Sequence, residues 1–149
     1  MKKKIIAISL VLSILLAPGS IFAKSFTDVK NSGKTEWAYK YVEELSNKNI
    51  LNGYEDGTFR PNNPVSFLET MQIIKTLSNP SDDEMKLARE AYMEMANANG
   101  VIDWAKDAIC FNLYHGTITE KTLINARERG FLDNKLYPNR NSIAVYFAR

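Results

Sequence analysis

Between Trp37 and Asn52 the apolar positions recur at helical spacing. Trp37, Tyr41 and Leu45 stand at i, i+4 and i+8 with Ala38 and Val42 beside them, while Lys40, Glu43 and Glu44 fall on the other side. This pattern predicts an amphipathic helix with the Trp37 stripe turned inward. Asn52-Gly53 stops it, and residues 52–64, with two Gly, two Pro and four Asn or Asp, read as a turn-rich loop. Pro64 leads out of the loop into Ser66-Phe67-Leu68-Glu69, a capping box that opens a second helix with Leu68, Met71, Ile74 and Leu77 as its buried stripe. Asn79-Pro80 ends that helix.

Ser81 to Glu84 repeats the device for a third helix, whose inner face is predicted to be Leu87, Ala88, Ala91, Tyr92 and Met95, closing at Asn99-Gly100. A fourth helix, capped by Asp103, points Trp104, Ala108 and Ile109 inward and ends at Gly116. A fifth runs from about Thr119 to Arg129 and stops at Gly130, and a last one is expected to open at Ser142. The fold class expected is all-α, with helices joined by Gly/Pro/Asn-rich loops that carry the function.

The amino terminus changes the composition. Residues 1–23 read as a signal peptide: Lys2, Lys3 and Lys4, an apolar run from Ile5 to Leu16, then Pro18, Gly19 and Ser20 before Ala23. Its apolar run falls short of the roughly 20 residues needed to span a bilayer. With it go three of the 19 basic residues, leaving 16 against 17 acidic ones, so the exported chain is expected to be near neutral. A near-neutral chain has no bulk electrostatic reason to bind nucleic acid. A single cysteine, Cys110, excludes an internal disulfide, and with one histidine in the chain no zinc site and no other metal or cofactor is expected.

Two stretches repeat. Trp37-Ala38-Tyr39-Lys40-Tyr41-Val42 corresponds to Trp104-Ala105-Lys106-Asp107-Ala108-Ile109, and Phe59-Arg60-Pro61-Asn62 loosely to Leu136-Tyr137-Pro138-Asn139. From Trp to Pro is 24 residues in the first copy and 34 in the second. Phe26-Thr27-Asp28-Val29, then Trp37-Ala38, then Asn49-Ile50-Leu51-Asn52-Gly53-Tyr54-Glu55-Asp56-Gly57-Thr58-Phe59-Arg60-Pro61 resembles the S-layer homology domain in order, spacing and residue type. The resemblance covers about residues 25–78. It implies helical repeats around a pseudo-threefold axis whose grooves hold acidic, often pyruvylated, secondary cell-wall polysaccharide. The organisation expected is a signal peptide at 1–23, an S-layer-homology-like repeat at 24–79, a linking helix at 80–99 and a degenerate, truncated repeat at 100–149. Completing a threefold unit would call for self-association or a protein partner.

One departure from the family concerns its Thr-Arg-Ala-Glu element, which falls on Ser66-Phe67-Leu68-Glu69. The capping residues Ser66 and Glu69 survive, but Phe67 replaces the arginine, and a phenyl ring offers no fork for carboxylate oxygens. The expected polymer contacts are Asp28, Trp37, Gly53, Tyr54 and Arg60. Each has a plain structural alternative: Trp37 as core anchor of its helix, Asp28 as the residue that orders its loop, Gly53 as a turn position, Tyr54 as a ring folded back over the helices, Arg60 as a solvated cation. The loop fits a calcium cage at Asn52, Asp56 and Gly57 but not at Tyr54 or Asn63. His115 fits a helix-ending cation, and Cys110 a small core residue.

No nucleophile with its base and no paired acid and base stands out. The function expected is a secreted, non-catalytic module that binds cell-wall polysaccharide at the cell surface. The alternative is a protein-interaction module that keeps the fold but has lost polymer binding, with an exposed Phe67 beside Leu68 as its docking patch.

Overall fold

A computed structural model describes residues 25–133 and 136–149, and the signal peptide expected at 1–23 lies outside them. The described residues form helices and loops without a strand: a short 3-10 turn at Gly33–Thr35, then α1 (Glu36–Asn47), α2 (Phe67–Ser78), α3 (Asp82–Ala98), α4 (Asp103–Tyr114), α5 (Glu120–Glu128) and α6 (Arg140–Phe147). The all-α expectation holds. Both serine capping boxes form: Ser66 accepts from the Glu69 amide while Glu69 reaches back, and Ser81 and Glu84 do the same for α3. Thr119 caps α5 through the Thr122 amide.

Helix α4 is the centre of the molecule, packed against α3 on one side and α2 on the other. Ala105 and every residue from Ala108 to Leu113 are buried, as befits a helix covered on several faces. Polar fasteners fix the neighbours. Asn112 Nδ2 donates to the Met71 carbonyl of α2 at 3.0 Å, and the Arg89 guanidinium of α3 binds both Asp107 oxygens at 2.8 and 2.6 Å. The main core runs from Phe67 to Leu132 through α2, α3, α4 and α5. Phe26, Val29, Ala38 and Val42 form a separate, smaller cluster under Tyr39 and Phe59.

Several sequence expectations are corrected. In α1 the buried stripe is Ala38, Val42 and Ser46, one position round from the Trp37 stripe, and Trp37 is 60% exposed. The same shift occurs in α4, where Ala105 is buried and Trp104 stands out at 52% exposure. Both tryptophans occupy the second position of their helix, too close to the end to be covered by the next element, and the small alanine beside each lets the helix approach its neighbour. Leu77, Leu87 and Ala91 are also exposed, with Met85 and Ala96 taking the inner face of α3. Asp103 does not cap α4: Ile102 holds the cap position without a side-chain bond, and Asp103 pairs with Lys106 instead. The last helix opens at Arg140 on an Asn139 cap rather than at Ser142.

The largest correction is Phe67. It has 0% exposure and packs edge-on against Tyr146 of α6, ring centroids 5.7 Å apart. An exposed Phe67 docking patch therefore does not exist, and the protein-interaction alternative loses the surface it was built on. His115 follows α4 as its cap residue, and Cys110 is buried, with burial pushing its thiol up to about 11.

Candidate functional site

The turn-rich loop is built by local chemistry. Gly53 has φ +67°, and a Cβ there would run into the Phe26 ring, so only glycine lets loop and ring close together. The Tyr54 amide donates to the Thr58 carbonyl at 2.8 Å, and the Gly57 amide returns to the Tyr54 carbonyl at 3.0 Å. Asp28 reaches in from the preceding segment: its two carboxylate oxygens accept the Phe59 and Arg60 amides at 2.8 and 2.7 Å. That double acceptance holds Arg60 at φ +59°, a left-handed conformation that costs a residue with a Cβ about 1 to 2 kcal/mol when left unsupported.

Above this frame lies a chain of side chains. Asp56 accepts from the Thr58 hydroxyl at 2.6 Å and from the Arg60 guanidinium, whose Nε also donates to Thr58 Oγ1 at 3.0 Å. The Thr58 hydroxyl and amide, followed by Arg60, hold the Asp56 carboxyl down to about 2. The guanidinium carbon sits 4.1 Å from the centre of the Tyr54 ring, a cation–π contact. The Tyr54 hydroxyl in turn donates to Glu69 Oε1 at 3.0 Å, and Glu69 Oε2 accepts from the Ser66 amide. Burial, the Glu69 charge and the hydrogen bond to it push the Tyr54 hydroxyl above its ordinary value, so it stays a donor.

This loop, the outer face of α2 and the start of α4 enclose a groove of about 450 Å3. Glu69, Gln72, Ile73 and Thr76 line it from α2, at the i, i+3, i+4 and i+7 spacing that puts them on one face. Ile50, Phe59, Pro61 and Val65 give it an apolar floor, and Trp104 closes the far wall. Gln72 Oε1 is buried without a hydrogen-bond partner. Of the residues singled out in the sequence, the structure brings Gly53, Tyr54, Arg60 and Glu69 together on this groove. Ser66 lies buried beneath it, Asp28 supports the loop from the preceding segment, and Trp37 stands on α1 outside the lining.

Sequence reasoning missed Trp104, Gln72, Ile73 and Thr76. The alignment of Trp104-Ala105 with Trp37-Ala38 was the available signal, because a tryptophan beside a buried alanine at a helix start faces out in both copies. Among the described residues no three His, Cys, Asp or Glu side chains converge as metal ligands do. A second cavity, of about 490 Å3, lies between the ends of α2 and α4 and helix α6 and touches none of the predicted site residues.

The sequence pattern of the S-layer homology domain matches residues 25–71, which takes in α1, the loop and the first part of α2. The match does not extend to residues 100–149, where a degenerate second repeat was expected. No curated protein and no solved structure matches the chain.

Proposed function

We propose, on the match of residues 25–71 to the S-layer homology domain, a module of the cell-wall-anchoring type, that the chain is a secreted, non-catalytic binder of cell-wall polysaccharide. The binding surface of this reading is the groove between the Asn52–Pro64 loop, α2 and Trp104. The observation that carries it is the convergence of Gly53, Tyr54 and Arg60, all inside the matched segment, on a groove with an apolar floor and an exposed aromatic wall. Pyranose rings present a face of C–H groups edged by hydroxyls, and such a groove offers both an apolar and a polar boundary. The acidic, pyruvylated polymer that the family resemblance implies would find its cation in Arg60. Asp28 acts in this reading as the clamp that shapes the loop, and Trp37 as an outer contact on the same lobe.

Sedimentation with purified cell walls tests the proposal. The chain from Lys24 onward should pellet with intact walls and remain in the supernatant once the polysaccharide has been chemically stripped from the peptidoglycan. Equal pelleting with both, or with neither, overturns it.

A further inference from the structure

Two Asn-Gly pairs occur in the chain, and the fold sets them in opposite chemical situations. In such a pair the glycine nitrogen can attack the asparagine side-chain carbon, because no Cβ on the glycine stands in the way. The attack needs that nitrogen unbound and the carboxamide within reach of solvent. Asn52 and Gly53 are both exposed in the loop, and among the described residues the Gly53 amide donates to no acceptor. The other pair, Asn99-Gly100, closes α3. Asn99 is 9% exposed, its Nδ2 donates to the Met95 carbonyl at 2.9 Å, and the Gly100 amide donates to the Asn97 carbonyl at 3.0 Å. Nucleophile and electrophile are both held there.

We infer that Asn52 is a site of spontaneous modification by water and that Asn99 is not. The Gly53 nitrogen gives its proton to hydroxide and bonds to Asn52 Cγ, the Cγ–Nδ2 bond breaks, and Nδ2 leaves as ammonia with a proton from water. The product is a five-membered succinimide. Water then opens the ring: addition at Cγ gives aspartate, and addition at the Asn52 main-chain carbonyl gives isoaspartate, with the chain rerouted through Cγ. Nothing is oxidised or reduced, and in sum water replaces ammonia. The chain cannot escape by changing Gly53, since its φ of +67° and its closeness to the Phe26 ring demand glycine.

Either product replaces a neutral amide with a carboxylate in the lining that Asn52 shares with Tyr54 and Arg60. On the wall-binding reading above, that charge repels the acidic polymer. Isoaspartate also adds a main-chain carbon just before Gly53, whose neighbour Tyr54 is pinned to the Thr58 carbonyl at 2.8 Å. Wall retention therefore falls as the protein ages.

Incubation of the folded protein from Lys24 onward at mildly alkaline pH, followed by peptide mass mapping, tests the inference. The peptide carrying Asn52 should gain about one mass unit and split into aspartate and isoaspartate forms, faster as hydroxide rises. The peptide carrying Asn99 should stay unchanged, and in denaturant both should convert, which assigns the difference to the fold. No conversion at Asn52, or equal conversion at Asn99 in the folded protein, overturns the inference. Wall retention of the aged protein should drop several-fold from that of the fresh one, whereas aged Asn52→Gln, whose longer side chain closes a six-membered ring far more slowly, should match its own fresh sample. Conversion at Asn52 with undiminished retention overturns the inferred effect on the groove. Fresh protein that never pellets with walls sinks the wall-binding reading, while the mass map still upholds the modification site.

Discussion

Phe67 shows how far one side chain's surroundings decide its meaning. In the sequence it stands where the resembled family carries an arginine, which invites the idea of restoring a lost anion contact. In the structure it is fully buried at the start of α2, against Tyr146 of α6. Phe67→Arg would bury a guanidinium without a partner, and it should lower stability by about 3 kcal/mol or more rather than improve wall binding. Denaturant midpoints of the two proteins measure this, and an unchanged midpoint would mean the ring is not enclosed. Asp56 gives the second prediction at this scale. Its folded pKa is depressed, so its contribution to stability is complete above the ordinary carboxylate range and is lost as pH falls through about 4 toward 2. The Thr58 amide, which donates to it, should report a titration midpoint near 2 by NMR, and Thr58→Val should move that midpoint upward.

Helix starts were readable where a hydroxyl cap forms, because such caps are local, but not at Asp103 or Ser142, where the cap lies elsewhere. Ser66, Ser81 and Thr119 each find a donor three residues on, within a stretch of chain too short for distant packing to overrule. Ser66→Ala should therefore cost about 1 kcal/mol in a denaturant titration, and since Glu69 also meets Tyr54, the loss should reach the loop as faster amide exchange at Tyr54. Helix faces were less readable. Trp37, Tyr41 and Leu45 match the helical period as well as Ala38, Val42 and Ser46 do, and periodicity alone cannot tell two adjacent stripes apart when one is aromatic and amphipathic. The groove escaped for a related reason. Its loop wall lies in one motif, but Gln72 and Trp104 are brought to it by packing between α2 and α4, which no short motif encodes.

Across the whole molecule the two apolar clusters differ in size. Four residues form the one beneath α1, whereas the main core draws on α2 through α5. Opening the smaller cluster exposes less apolar surface, so α1 amides should exchange with clearly lower protection than those of α4 in native-state hydrogen exchange. Equal protection would show that both clusters open only together. Helix α2 stands astride this division: its Glu69–Thr76 face borders the groove, its Phe67–Ile74 face lies in the main core, and the family match ends within it at Met71. The stretch recognisable as a domain is thus not a stretch that could be lifted out and spliced elsewhere. Severed at that border, it would present Phe67, Leu68 and Met71, each fully covered in place, to water. Any transplant of the loop into a foreign host must carry α4 and α6, the helices packed on α2, along as its foundation.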